Sequence, residues 1–250
     1  MQRQKLTRAA LLLFLPALLS AQATEGMLRY TETIKMNIRL EGEDQRMLEH
    51  LPKTQDAPTV LFFNANASLY CDQKDAEQDT EINAEQDGAH MQIKVMRPDN
   101  QYYFDLEKGQ RIERREFMGR FFRIEEEAGR LAWKLSSEQK TILGYPCQKA
   151  TLQDSTRKVE AWFTPQIPLP FGPLGLGDLP GLILEAQLDG GERTAVATHM
   201  ELKALPAGSV AKPGKGKSVT RAEFDKIVAD KLREMNAEGG NGQVRMIIRN

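Results

Sequence analysis

Between residues 28 and 40, apolar and polar side chains alternate almost without fault. Leu28, Tyr30, Ile34, Met36, Ile38 and Leu40 share one parity, and Arg29, Thr31, Thr33, Lys35, Asn37 and Arg39 share the other. Glu32 alone interrupts the apolar set. Successive side chains of a strand point to opposite faces, so this pattern predicts a strand with one dry and one wet face. At about 3.3 Å per residue it would reach roughly 40 Å, longer than an ordinary strand. Such a strand points to a curved sheet wrapped about a dry interior.

Further strand-like runs follow at 59–70, 91–96, 102–106, 110–117, 121–125, 131–135, 148–152, 159–163, 182–188 and 194–202. Turn chemistry separates many of them: Pro98-Asp99-Asn100, Lys108-Gly109, Ala128-Gly129 and Asp189-Gly190-Gly191. No helical pattern alternates with the strands, which argues against a parallel α/β fold. The expectation is a mainly β chain, an antiparallel sheet curved into an open half-barrel with a C-terminal amphipathic helix packed on it. That helix is read from Thr220-Arg221-Ala222-Glu223, a capping box in which each end satisfies the other. Phe224, Ile227, Val228, Leu232 and Met235 then share one face, and Gly239-Gly240 supplies the stop. Val244, Met246 and Ile248 suggest a last short strand.

Two segments look different. Asp72, Asp75, Glu77, Asp79, Glu81, Glu85 and Asp87 crowd into residues 72–88 with almost nothing apolar. The calcium-loop spacing and its central glycine are missing, so the segment reads as a solvated loop. Residues 206–219 form a Gly/Pro/Lys linker whose Lys212, Lys215 and Lys217 lie among glycines. The chain divides on this reading into a β domain at 24–205, that linker, and a helix with a short strand at 220–250.

The first residues change the picture of where the protein works. Arg3, Lys5 and Arg8 precede an apolar run at 9–19 and then Ser20-Ala21-Gln22-Ala23. This is the layout of a secretory signal, with cleavage expected after Ala23. The run is shorter than the roughly 20 apolar residues of a membrane span, and no cysteine at the cut could carry lipid. The mature chain is therefore expected in the periplasm or secreted. Removing 1–23 takes away three cations and no carboxylate, so the formal charge moves from −1 to −4. A mildly acidic chain has no electrostatic footprint for nucleic acid. In an oxidising compartment the two cysteines, Cys71 and Cys147, predict a disulfide, with about 4 kcal/mol of stabilisation in the chain-entropy model.

Candidate chemistry is sparse. There is no G-x-S-x-G elbow, Walker loop or G-x-G-x-x-G turn. His50, His90 and His199 have no metal-ligand spacing on a predicted helix. Met36, Met91 and Met200 occupy apolar strand positions where a core filler suffices. No catalytic residue, metal or cofactor is assigned. The most unusual stretch runs from Trp162 to Glu185, where prolines fix φ and glycines free it, giving a shaped apolar loop. Trp162, Pro168, Phe171, Pro173, Leu179, Pro180 and Leu182 are its candidate contact residues, for a ligand, for a partner, or for the core of the protein itself.

Within that loop, Asp178-Leu179-Pro180-Gly181-Leu182-Ile183 resembles the hexad of the GLPGLI family, with aspartate in place of the first glycine. Ser68-Leu69-Tyr70, Trp133-Lys134-Leu135, Gly144-Tyr145-Pro146-Cys147-Gln148-Lys149-Ala150, Ala161-Trp162-Phe163-Thr164 and Gly172-Pro173 extend the likeness. The resemblance implies an exported envelope protein of the kind common in Bacteroidetes, with no catalytic residues to carry over. By analogy of fold, a curved sheet with a helix on it looks like the half-barrel of LolA-type lipoprotein carriers.

The leading expectation is a non-enzymatic envelope protein that binds a lipid or other apolar ligand, or an envelope partner, through its sheet and the 165–184 loop. The first alternative is a structural accessory of an outer-membrane transporter or assembly complex, with a β-barrel protein as partner. The second is an enzyme with dispersed residues, its carboxylates converging with His199 or His90.

Overall fold

The computed structural model describes residues 24–36, 38–39, 52–73, 79–86, 89–127, 129–153, 157–238 and 245–246. Residues 1–23, where a signal sequence is expected, His50, Asp75, Glu77, Asp87 and the expected Gly239-Gly240 stop lie outside them.

The alternating opening segment forms β1 (Gly26–Lys35), followed by the two residues of β2 (Ile38–Arg39). The single run expected at 59–70 is two strands, β3 (Thr54–Phe63) and β4 (Ala67–Asp72). Asn64 breaks it: its Oδ1 accepts the N–H groups of Asn66 and Ala67 and closes a turn that sequence periodicity does not reveal. The acidic segment is not a plain loop. Asp79–Gln86 is strand β5 and pairs with β6 (Ala89–Met96) in a separate hairpin that sets Glu81 opposite Lys94 and Ile82 opposite Ile93.

The meander continues through β7 (Gln101–Asp105), β8 (Gln110–Phe117), β9 (Arg120–Glu127), β10 (Lys134–Ile142), β11 (Tyr145–Gln153) and β12 (Lys158–Thr164). After the long loop come β13 (Leu182–Leu188), β14 (Arg193–Glu201) and β15 (Lys217–Val219), then helix α1 (Arg221–Glu238) and the two-residue β16 (Arg245–Met246), which pairs with β2. Twelve strands join one open sheet in the order β10-β11-β12-β13-β14-β1-β3-β4-β7-β8-β9-β15. All pairings are antiparallel except β15 on β9. Cys147 on β11 and Tyr102 on β7 share one buried cluster although seven places apart in the strand order. The sheet therefore curls, although its opening strand stops at Lys35 and Ile38–Arg39 belongs to a separate two-stranded sheet, short of the single strand expected over 28–40.

What it curls around is its own loop. Ile167, Leu169, Phe171, Leu174, Leu176 and Leu179 are all buried. The loop is held by backbone bonds from Leu182 N–H to Ile167 and from Ile183 N–H to Phe171. Gly181 lies so near the backbone of Thr164 that an added Cβ would fall 2.1 Å from its carbonyl oxygen. Asp178 sits at φ 67°, where glycine is ordinarily preferred. Its carboxylate answers by accepting from Arg111 at 2.6 Å and from Leu131 N–H at 3.0 Å.

The helix caps as its sequence predicts, with Thr220 Oγ1 accepting Glu223 N–H and Glu223 accepting Thr220 N–H. Phe224 is buried against Phe122, Ile124 and Val219 of the sheet edge, whereas Met235 at the far end of the stripe is exposed. The expected disulfide is not formed. Cys71 on β4 and Cys147 on β11 are six places apart in the strand order, roughly 29 Å along the sheet at 4.8 Å per strand. Cys71 is half-buried and Cys147 buried, and neither takes part in a disulfide.

Candidate functional site

The residue that breaks the opening pattern is the centre of a buried polar cluster. Glu32 keeps the parity of Leu28 and Tyr30 and is only 1% exposed. Its neighbours across the sheet are Ala195 on β14 and Ala57 on β3, small side chains that leave room for a carboxylate. Arg193 Nε donates to Glu32 Oε1 at 2.8 Å. Tyr70 donates its hydroxyl to Oε2 at 2.8 Å, and Arg97 Nη2 lies 3.2 Å from the same oxygen. Because Tyr70 spends its proton there, Thr59 donates to the Tyr70 oxygen at 2.7 Å. Burial alone would raise the Glu32 carboxyl, but Arg193, Arg97 and these hydrogen bonds outweigh it and hold the group below its ordinary range.

Asp72 stands beside this set. Arg97 reaches its Oδ1 with Nε at 2.9 Å and Nη2 at 2.8 Å. Both contacts fall on one oxygen, and Oδ2 is buried with no hydrogen-bond partner. Burial pushes the Asp72 carboxyl upward, with Arg97 opposing. A pocket of about 30 Å³ opens here, bounded by Asp72, Cys71, Pro98, Asn100 and Tyr102. That volume takes one water or one small substituent. From Tyr102 the polar chain continues to Arg115, whose guanidinium donates to the phenol at 2.5 Å. Glu113 and Arg221 carry it on to the start of α1.

The two carboxylates differ in what they can do. Glu32 has both oxygens engaged by cationic or hydroxyl donors, so it neither activates a water nor receives a substrate proton. Asp72 has one oxygen that is buried and without a hydrogen-bond partner. Among the described residues no group of three or more His, Cys, Asp or Glu is arranged to hold a metal ion. His199 is exposed and contacts Glu201 at 3.1 Å, away from the cluster. A wider groove of about 530 Å³ runs between α1 and the β8–β9 turn, with Phe117, Met118 and Ile227 among its walls. It contains no buried polar group.

The candidate loop residues do not form one surface. Phe171, Pro173, Leu179 and Leu182 are buried, while Pro168 and Pro180 face solvent. Trp162 stands on β12 opposite Lys149 and Glu185, with Lys140 Nζ 4.3 Å from its ring centre. The sheet's interior is thus occupied by the protein's own side chains, which leaves no room for the apolar ligand expected from sequence. Sequence reasoning had noticed Glu32 only as an exception and had counted Asp72 with the acidic segment. Tyr70 enters it only within a motif and Asn100 only as a turn residue, and Arg97 and Arg193 do not enter it. The signal that could have found them was the lone carboxylate on a dry face, since a buried charge demands partners.

Three comparisons bear on this geometry. The family described as "N-glycanase peptide, N-terminal domain" matches residues 46–221. Two solved structures of PNGF-II, from P21 and C2 crystals, share the fold at 17% identity. Their TM-scores are 0.54 and 0.52, and the alignments cover 83% and 82% of this chain but 34% and 33% of those chains. The chain thus spans about a third of the length of those structures. A comparison with curated protein sequences finds no match. The family match overturns the GLPGLI resemblance. It also removes the apolar carrier reading, in agreement with the filled interior. Among the described residues no helix is long and apolar enough to cross a membrane.

Proposed function

We propose, because this chain belongs to the family of N-glycanase peptide N-terminal domains, that it is an accessory domain which engages glycan-bearing protein and leaves glycosidic or amide cleavage to another module. The observation that carries the reading is the state of Glu32. Among the described residues the most deeply buried carboxylate, Glu32, is tied up by Arg193, Arg97 and Tyr70, so the cluster serves to hold the sheet's shape. Hydrolysis of a glycan linkage calls for a carboxylate free to move a proton, and Glu32 is not one. The relation to PNGF-II, whose length is about three times the aligned part, supports a division of labour between this fold and further modules. The N-terminal basic and apolar segment supports the same work being done outside the cytoplasm.

The test is a glycan-release assay. An N-glycosylated protein incubated with the purified chain should keep its full glycan mass, and it should be retained on a column bearing the chain. Shortened glycans would overturn the accessory reading. Passage of the glycoprotein straight through the column would overturn glycan engagement.

A further inference from the structure

Resting on the accessory reading above, we propose that the pocket beside Asp72 receives a neutral sugar hydroxyl, making it the domain's point of contact with a glycan. The argument begins with an acceptor that has nothing to accept. Asp72 Oδ2 is buried and without a partner because Arg97 places both of its contacts on Oδ1. A buried carboxylate oxygen left this way is costly, and the pocket it borders is open to one small group.

Asn100 lines the same pocket. Asn100 Oδ1 accepts the N–H of Glu116 at 3.0 Å. That bond leaves the Asn100 Nδ2 donor unused by Glu116. A carboxylate and an amide lining one pocket suit a group that both gives and takes one hydrogen bond, and a hydroxyl is that group. Pro98 adds apolar surface to the pocket, on which the carbon face of a sugar ring rests.

Charge selects further. Glu32 and Asp72 are balanced by Arg97 and Arg193, and the guanidinium groups aim their described bonds at those carboxylates. An incoming anion would meet the open oxygen of Asp72, and an incoming cation would meet the two arginines. A neutral hydroxyl avoids both. The volume of about 30 Å³ admits a hydroxyl or hydroxymethyl group while the ring stays outside. Since burial raises the Asp72 carboxyl, the acceptor is lost by protonation as the medium turns acidic, and binding weakens in that direction.

The experiment is a titration of the isotope-labelled full chain with di-N-acetylchitobiose, with methyl α-mannoside and with inorganic phosphate, followed by backbone amide resonances. At least one sugar should shift Cys71, Asp72, Asn100 and Tyr102 in a saturable way, and phosphate should not. Asn100→Asp, which keeps the oxygen for Glu116, should weaken that sugar roughly tenfold or more, the worth of a hydrogen bond at a charged site. Asp72→Asn should do the same, and if it melts early the Asn100 variant decides. Saturable phosphate binding at these residues would overturn the assignment. So would full-strength retention of a glycoprotein by both variants, which would leave the accessory reading standing. Failure of the wild-type chain to retain any glycoprotein would end both.

Discussion

The phenol of Tyr30 donates a hydrogen bond of 2.6 Å to the carbonyl of Ile183, 153 residues further along the chain. One partner belongs to the opening strand and the other to the end of the loop that fills the sheet. The bond is buried and fixes the loop from inside, and burial pushes the phenol well above its usual range, so it remains a donor. Tyr30→Phe keeps the ring and strands the carbonyl. We expect a loss of about 1–3 kcal/mol in urea unfolding, with an unchanged far-ultraviolet spectrum.

Glu32→Gln leaves two arginines facing a neutral group. Removing one partner of a buried pair costs about 3 kcal/mol or more, and denaturant midpoints at neutral pH should report it. The pH dependence follows from sign. Glu32 is held below its unfolded value of 4.5, so its contribution is complete above that pH and is lost as pH falls through the folded value. Asp72 is raised above 3.8 and acts oppositely, favouring the folded state below that pH and ceasing to do so as pH rises through its folded value. The variant should therefore show a shallower acid limb than the parent. An identical limb would show that Glu32 does not set it.

Gly181 has no room for a side chain, since a Cβ there would meet the backbone of Thr164 at 2.1 Å. Gly181→Ala should destabilise by roughly 2 kcal/mol or more. Gly129, with open space around it, is the control, and Gly129→Ala should be close to neutral. Equal melting temperatures for the two variants would contradict the packed loop.

Without a disulfide, stability should not respond to reducing agent. Thermal melting with and without dithiothreitol should coincide, and alkylation after unfolding should add two labels. In the folded state Cys147 should react slowly, because burial pushes its thiol up to about 11. A shift of several degrees on reduction would restore the bridge between Cys71 and Cys147.

Much of the fold was legible, for local reasons. Leu28 and Tyr30 face inward as their parity requires, and Thr220 with Glu223 caps a helix because the capping box is a short-range device. The candidate site was not legible, because its members meet through sheet order. Glu32 and Arg193 are 161 residues apart and become neighbours only when β14 pairs with β1. Asn64 ends a strand through its own side chain, which hydrophobic alternation does not report. The loop at 165–181 was recognisably shaped, but whether it faced in or out depended on a cavity that twelve distant strands create. The cysteine count suggested a bridge that the structure does not form.

The accessory account is tested most directly by comparing two forms of one protein, N-glycosylated and fully stripped of glycan, each immobilised and exposed to the purified chain over a range of concentrations. The account predicts binding to the glycosylated form about tenfold tighter, a difference of about 1.4 kcal/mol, with the glycan mass unchanged afterwards. Equal affinity for the two forms, or glycan missing from the recovered protein, would contradict it.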